Sequence, residues 1–477
     1  MGQEIDKTHF SSLDFEEFQT RLRTETELLR QAFEQGTFDQ QEEDVGFELE
    51  AWLVDSAGLP APMNESFLQK VDHPHVVPEL SRFNVEVNSS PHPLGRYLLQ
   101  DLRAELEELF RICREGADAL KSHVAFIGIL PTVRPEMLTL EHISPLNRFY
   151  ALNEQILRLR GGRPFHLDIH GADHLVLTHG DVMLESAATS LQIHLQADAK
   201  KMVRTFNAAV LIAAPMVALA ANSPYLFQKD LWDETRIPLF EQAIDLEEET
   251  EKEGFSLGRV SFGSGYIRRS LLECYEENLK KFPVLLPIRL DSPPEKFQHL
   301  HLHNGTIWRW NRPIVDMGAD GRPHLRLEHR VPAAGPTVVD IIAHIAFYLG
   351  LAEEIGSRPQ PLEDSISFAK ARENFYSAAR QGLAAKVHWS NGQRVALDHL
   401  ILQQLLPWAK AGLERIGVDS AASQYFLQEI LAQRVASGRN GAAWQRSFVS
   451  RHGPDFSGLT QVYLENQERG RPVHLWE

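Results

Sequence analysis

Two spacings of apolar residues organise this chain. From about Asp14 to Phe33 the positions Phe15, Phe18, Leu22, Leu29 and Phe33 recur every three to four residues. That is the period of one helix face, and Gly36 is placed to end the helix. The same period predicts helices over about Leu98 to Leu120, with Leu99, Leu102, Leu106, Leu109 and Cys113 as the stripe, and over about Lys201 to Leu219. Elsewhere the period falls to two or the residues are β-formers. Val45–Val54, Arg82–Asn88, Val124–Leu130, Thr189–Gln196, Leu302–Arg312 and Leu325–Val331 read as strands. Strands interleaved with helices in this way imply an α+β fold, one sheet with helices on one face.

The segment Gly356–Asp364, with Pro359 and Pro361, reads as a connector. It divides the chain into a main domain, residues 1–355, and a helical subdomain, residues 356–477, packed on it, with a loop near Ser437–Gly441. The longest apolar run, Ala208–Ala221, contains Pro215 and is too short to span a bilayer, so it predicts a buried core helix and no membrane partner. The formal net charge of −17 argues against a nucleic-acid partner but permits an anionic ligand if bound cations reverse the local field. Two cysteines give no disulfide framework. With no secretory layout at the amino terminus, they point to a reducing, cytoplasmic setting. Cys113 and Cys274 fall on helical stripes and read as buried hydrophobes, not nucleophiles. The acidic run Asp245–Glu253 reads as a solvated loop.

Chemistry enters through what alternation does to the charges. In Gly46-Phe47-Glu48-Leu49-Glu50-Ala51, successive side chains of a strand point to opposite faces, so Glu48 and Glu50 share one face about 7 Å apart. Two carboxylates there resist desolvation unless a cation joins them. Glu86 shares a face with Asn84 and Asn88, His194 lies between Gln192 and Gln196, and Glu328 lies between Arg326 and Arg330. A single strand of this kind can be an ordinary solvated face. As a set, carboxylates, one imidazole, amides and arginines are not the mixed Lys, Thr and Ser of such faces. If the strands share a sheet, the face suits hard cations and phosphate, with two or more metal ions bridging a polyphosphate.

The ordered motifs resemble those of the second family of glutamate–cysteine ligases and their carboxylate–amine ligase relatives. They are Gly46-Phe47-Glu48-Leu49-Glu50, Pro78-Glu79-Leu80 followed by Val85-Glu86-Val87, Gln192-Ile193-His194, Ala221-Asn222-Ser223-Pro224, Ile307-Trp308 with Arg312-Pro313, and Leu327-Glu328-His329-Arg330. They occur in the family's order over roughly residues 40–350. The resemblance implies a curved antiparallel six-stranded sheet, a half-funnel of the glutamine-synthetase kind, with helices on one face. It implies ATP and two or more Mg²⁺ ions as cofactors. It places Mg²⁺ ligation on Glu48, Glu50, Glu79, Glu86, His194 and Glu328, and phosphate contact on Arg330 and Arg312, with Gln192 and Arg326 beside them. Arg148 and Arg236 match substrate-side arginines. The segment between Arg312 and Glu328 is longer than the family's usual linker, and nothing after about Ala352 aligns, which leaves the acceptor amine undefined.

The resemblance implies ATP-dependent joining of an amino-acid carboxylate, the glutamate γ-carboxylate, to cysteine or another amine through an acyl phosphate. Small molecules are the expected substrates, and homo-oligomerisation stays open. Two alternatives remain: a guanidine or amine phosphotransferase, and a catalytically silent nucleotide-binding relative. Outside the motifs, His166, Asp168 and His170 with Asp173, His174 and His179, and separately His299, His301 and His303, alternate so that each trio shares a strand face. Such a face can hold Zn²⁺ or can simply be polar. Gly263-Ser264-Gly265 reads as a turn, and Trp308 and Trp310 read as packing residues.

Overall fold

The period-two segments assemble into one sheet. The computed structural model describes residues 4–38, 43–246, 257–318, 320–390 and 392–477; all but the first two residues of the acidic run 245–253 lie outside this set. The strands are β1 (Asp44–Asp55), β2 (Val76–Pro78), β3 (Asn84–Asn88), β4 (His92–Pro93), β5 (Ser122–Ala125), a separate hairpin of β6 (Phe165–His170) and β7 (His174–His179), then β8 (Leu191–Gln196), β9 (Asn311–Met317) and β10 (Pro323–His329). Six of them run in the order β9-β10-β8-β1-β3-β2, with β4 and β5 pairing to the two ends of β1. Every pairing in the sheet is antiparallel. This is the expected α+β fold with its six-stranded antiparallel sheet.

Alternation decides which side of the sheet is dry. Phe47, Leu49 and Ala51 of β1, Val85 and Val87 of β3, Leu191 and Ile193 of β8 and Leu327 of β10 are all buried. They pack on a layer that includes α1 (Ala199–Ala220) and α2 (Val338–Gly356), which lie against each other, with α1 against β9 and β10. Apart from Ala51, each such side chain contributes about 1.5–3 kcal/mol by leaving water. Truncating Leu327 to Ala would cost about 2–5 kcal/mol, because the layer on both sides is closed. Among the described residues α1 is the one helix long and apolar enough to cross a membrane, and its apolar window is 89% buried inside the protein.

The helix that opens the chain spans Ser12–Gln35. Ser11 and Asp14 form a reciprocal capping box at its start, and Gly36 ends it in the left-handed region at φ 66°. Its buried Glu25 corrects one sequence expectation. The segment Leu302–Arg312 is not one strand, and the imidazoles of 299–303 do not share a strand face, because Gln298–Gly305 is a helix. Glu25 accepts hydrogen bonds from His299 Nδ1 (2.6 Å) and the Leu300 amide (2.8 Å), tying down the first turn. Alternating His and Leu satisfies a helix as well as a strand, and this buried partner decides for the helix. Strand structure resumes at Trp308–Arg309 and at β9. The predicted strand Val124–Leu130 shrinks to β5, after which the chain turns away.

Residues beyond Gly356 are mostly helical, with one short hairpin, Lys386–His388 paired with Arg394–Ala396. They bind the sheet through specific groups. Tyr463 donates to the Phe126 carbonyl (2.7 Å), while Gln467 accepts from the Phe126 amide (2.7 Å) and donates to the Val124 carbonyl (2.8 Å). The buried Arg434 pairs with Asp340 of α2 at 2.6 Å. One apolar cluster runs through both parts, from Ile5 to Trp476.

Candidate active site

Register brings the polar residues of distant strands together. Glu328 of β10 lies opposite both Arg312 of β9 and His194 of β8. Glu48 of β1 lies opposite Gln192 of β8 on one side and Asn88 of β3 on the other, and Glu50 lies opposite Glu86. Because directly paired antiparallel residues point to the same face, these side chains converge on the face opposite the dry one. Glu79, just past β2, joins them.

The six residues fall into two triads. In one, ligand atoms of Glu48, His194 and Glu328 all lie within 4.8 Å of one another; in the other, those of Glu50, Glu79 and Glu86 do. His194 Nε2 is 3.4 Å from Glu48 and 3.7 Å from Glu328. Neither ring nitrogen of this buried histidine has a hydrogen-bond partner among the described residues. A buried imidazole left so, between two carboxylates, is what a divalent cation would satisfy.

Arginines bind the first triad and link it to the second. Arg312 grips Glu328 with two hydrogen bonds, Nε to Oε2 at 2.7 Å and Nη2 to Oε1 at 2.8 Å, and Arg330 Nη1 adds a third at 3.2 Å. Burial opposes ionisation of Glu328, which is only 1% exposed, but the two guanidinium groups outweigh it and hold its pKa at about 2. Arg330 also donates to the Gln192 side-chain oxygen, and the Gln192 amide donates to Glu50 at 2.9 Å. The Ser190 amide donates to the other Glu50 oxygen at 2.6 Å.

Among the described residues no arginine or lysine makes such a contact with the second triad. Burial first, and the Glu79 carboxylate second, push Glu50 up to about 7 against the pull of Arg330. Glu86 is driven upward by burial and then by Glu48 and Glu79. Glu48 goes the other way: burial opposes its charge, yet His194 draws it well below the usual range. Carboxyls crowded in this way, held by the sheet and by the residue just past β2, form a group whose oxygens could hold a cation.

The remaining sequence-predicted residues spread out from this centre. Arg326 sits further along β10, partly exposed, 3.6 Å from Asp316. Arg148 lines a cavity of about 320 Å³ that Arg312, Ile314 and Asp316 of β9 border, together with Lys296 and His301. Arg236 stands apart from open space. It pairs with buried Glu234 at 3.1 Å, donates to the carbonyls of Arg330 and Val331, and lies over Trp310 at 5.2 Å. It positions the backbone that carries Arg330. Trp308 and Trp310 are buried packing residues, Trp310 donating to Glu241 at 2.9 Å.

One acidic group escapes sequence reasoning. Glu185 lies in the 3-10 turn Val182–Ala187, where no alternation marks a face. Burial, then Glu79 and Glu50, raise its pKa well above the ordinary value, so it belongs to the electrostatic field of the second triad.

An antiparallel sheet carrying two acidic triads and paired arginines is the arrangement expected of the ATP-dependent ligases that form C–N bonds, and the family match puts the chain in that class. The sequence profile of glutamate–cysteine ligase family 2 matches residues 44–465, and the chain belongs to that family. A Bordetella avium protein provisionally named glutamate–cysteine ligase 2 is 35% identical over 88% of each chain. One from Bordetella parapertussis with the same provisional name is 27% identical over 84% of this chain and 81% of its own. The fold is similar to that of glutamate–cysteine ligase from Francisella tularensis in complex with AMP, at TM-score 0.52 and 10% identity over 90% of each chain. It is also similar to a bifunctional glutathione synthetase from Pasteurella multocida, at TM-score 0.54 and 10% identity, over 93% of this chain and 55% of that one.

Proposed function

We propose that this protein uses Mg²⁺ and ATP to join the glutamate γ-carboxylate to an amine, cysteine or another amino compound, releasing ADP and phosphate. The observation that carries this reading is the division of six ligands into two triads joined through Arg330, Gln192 and Glu50. Bound Mg²⁺ would neutralise phosphate charge and hold polyphosphate and carboxylate together, with Glu48, His194 and Glu328 at one position and Glu50, Glu79 and Glu86 at the other.

The protein's own groups then have separable tasks. A carboxylate does not react usefully with an amine until its oxygen becomes a good leaving group, and phosphorylation provides that. Phosphoryl transfer needs alignment and charge stabilisation more than a protein nucleophile. Arg330, fixed by Glu328, Gln192 and the buried Arg236 beneath its backbone, meets the charge on the transferring phosphoryl group. Arg312 orients Glu328 and borders the cavity that Arg148 lines, which in this reading takes the amino-acid substrate. The amine displaces phosphate from the acyl phosphate, and the amide leaves.

The test is purified full-length protein with Mg²⁺–ATP and amino acids in pairs, read as ADP release and as product mass. Amide plus phosphate supports the proposal. A stable phosphorylated amine without amide would make it a phosphotransferase, and Mg²⁺–ATP binding by calorimetry with no ADP release for any pair would make it a silent relative. Within this scheme Arg148→Ala is expected to raise the KM for the amino-acid substrate about tenfold while the KM for ATP and kcat change little, the signature of lost uniform binding. A fall in kcat at unchanged KM would move Arg148 from substrate binding to the chemical step.

A further inference from the structure

We propose that the tip of the β6–β7 hairpin is a separate metal site, built by Asp168, His170 and His174 for a borderline divalent cation of the Zn²⁺ kind. Alternation turns Leu167 and Ile169 of β6 into the core and leaves Asp168 and His170 on the outer face. His174 of β7 pairs directly with His170 across the hairpin, so its ring comes from the other strand onto that face. The two imidazoles stack with centroids 3.7 Å apart and planes 16° from parallel. Both present Nε2 to the same Asp168 oxygen, His174 at 2.8 Å and His170 at 3.1 Å. Ligand atoms on a tetrahedral Zn²⁺ at 2.0–2.1 Å stand about 3.3 Å apart, so the nitrogen–oxygen spacings already suit one ion, and the exposed rings need only turn out of their stack for both lone pairs to meet it. A fourth position stays open to water.

The side chains face solvent, but the backbone that carries them is held. Trp232 donates to the His170 carbonyl at 2.7 Å, and the Gln242 side chain accepts from the Asp168 amide at 2.7 Å. At the turn, Asp173 bonds the Asp230 backbone through both its amide (2.7 Å) and its carboxylate (2.9 Å). Gly171 sits so close to Leu231 that a Cβ there would lie 2.3 Å from the Leu231 Cα. This is a rigid platform of the sort that fixes ligand positions in advance. Exposed His–Asp pairs contribute little to stability on their own and need no such platform. Two imidazoles and one carboxylate select for Zn²⁺-like ions, whereas the catalytic triads, five carboxylates to one imidazole, select for hard cations. The two sites therefore take different metals.

Chelator-stripped full-length protein, kept in excess Mg²⁺, is titrated with Zn²⁺ by calorimetry and with Co²⁺ by visible absorption. One equivalent is expected, with the intense bands of four-coordinate Co²⁺. Asp168→Asn and His170→Gln should each weaken binding at least about tenfold, the size of a lost ligand or its orienting group. The double substitution His170→Gln with His174→Gln should abolish it and leave Mg²⁺-dependent turnover and the melting temperature of metal-free protein unchanged. All three positions are exposed, so folding should survive, and circular dichroism checks that. Wild-type stoichiometry in the double variant would put the metal elsewhere and end the proposal. So would the absence of any Zn²⁺ binding by the wild-type protein in Mg²⁺.

Discussion

Replacing Glu328 by Gln is expected to reduce ATP-dependent amide formation by about 10³-fold and to destabilise the protein at the same time. The activity loss follows from position. One oxygen of Glu328 faces His194 and Glu48, while both oxygens are gripped by Arg312, with Arg330 adding to one of them. A neutral amide keeps an acceptor but loses the charge that aligns both guanidinium groups and completes the triad. Removing one preorganised electrostatic group of this kind typically costs about 10²–10³ in kcat, and here several depend on it. The stability loss follows from burial. Arg312 would remain in the sheet without its bidentate counterion, and breaking a buried pair costs about 3–5 kcal/mol. Glu48→Gln separates the two effects. Glu48 faces His194 and holds no arginine in a hydrogen bond among the described residues, so turnover should fall comparably while the denaturant midpoint falls clearly less than in Glu328→Gln. Steady-state rates and urea unfolding of both variants measure this. Near-wild-type turnover in Glu48→Gln would remove the first triad from the mechanism.

Much of this site was legible in the sequence because its carriers are strands. A period of two assigns a face without any knowledge of the sheet, so Glu48 with Glu50, Glu86, His194 and Glu328 could be placed together before their register was known. Arg312 and Glu79 came from the family resemblance, since neither sits in a clean alternation. What was not legible depends on contacts distant in sequence. The helix Gln298–Gly305 is settled by Glu25, more than 270 positions away along the chain, and its His-Leu repeat carries both periods. Arg236 matched a substrate-side arginine by motif, yet Glu234, two residues before it, and the carbonyls after β10 engage its guanidinium. Helix α2 shows no stripe because it is apolar nearly all round, the mark of a helix wrapped on every side. Glu185 lies in a turn, where neither period applies.

The metal-free protein should lose stability as pH rises through about 7, and Mg²⁺ should restore it, more strongly at pH 8 than at pH 5. The sign follows from the second triad. Glu50 and Glu86 have native pKa values raised by burial and by neighbouring carboxylates, Glu50 to about 7. The folded state therefore holds protons that the unfolded chain has already released. Their contribution to stability is full below the ordinary carboxylate range and disappears as pH climbs through the native value. Glu328 and Glu48 act in the opposite sense, since both are depressed in the folded state. Their contribution is present above the ordinary range and is lost as pH falls towards about 2. Between the two limits, a cation binding the second triad must displace protons at pH 5 but meets ionised carboxylates at pH 8. An ion at a hundredfold excess over its Kd stabilises by about 2.7 kcal/mol. The Mg²⁺-induced rise in Tm should thus be several degrees larger at pH 8 than at pH 5, where the carboxylates of the first triad are ionised but Glu50 and Glu86 still hold protons. Glu50→Gln combined with Glu86→Gln should flatten the metal-free pH profile and shrink the Mg²⁺ response. An equal Mg²⁺ shift at both pH values, or one that the double variant keeps in full, would show that the cation is not held by these carboxylates.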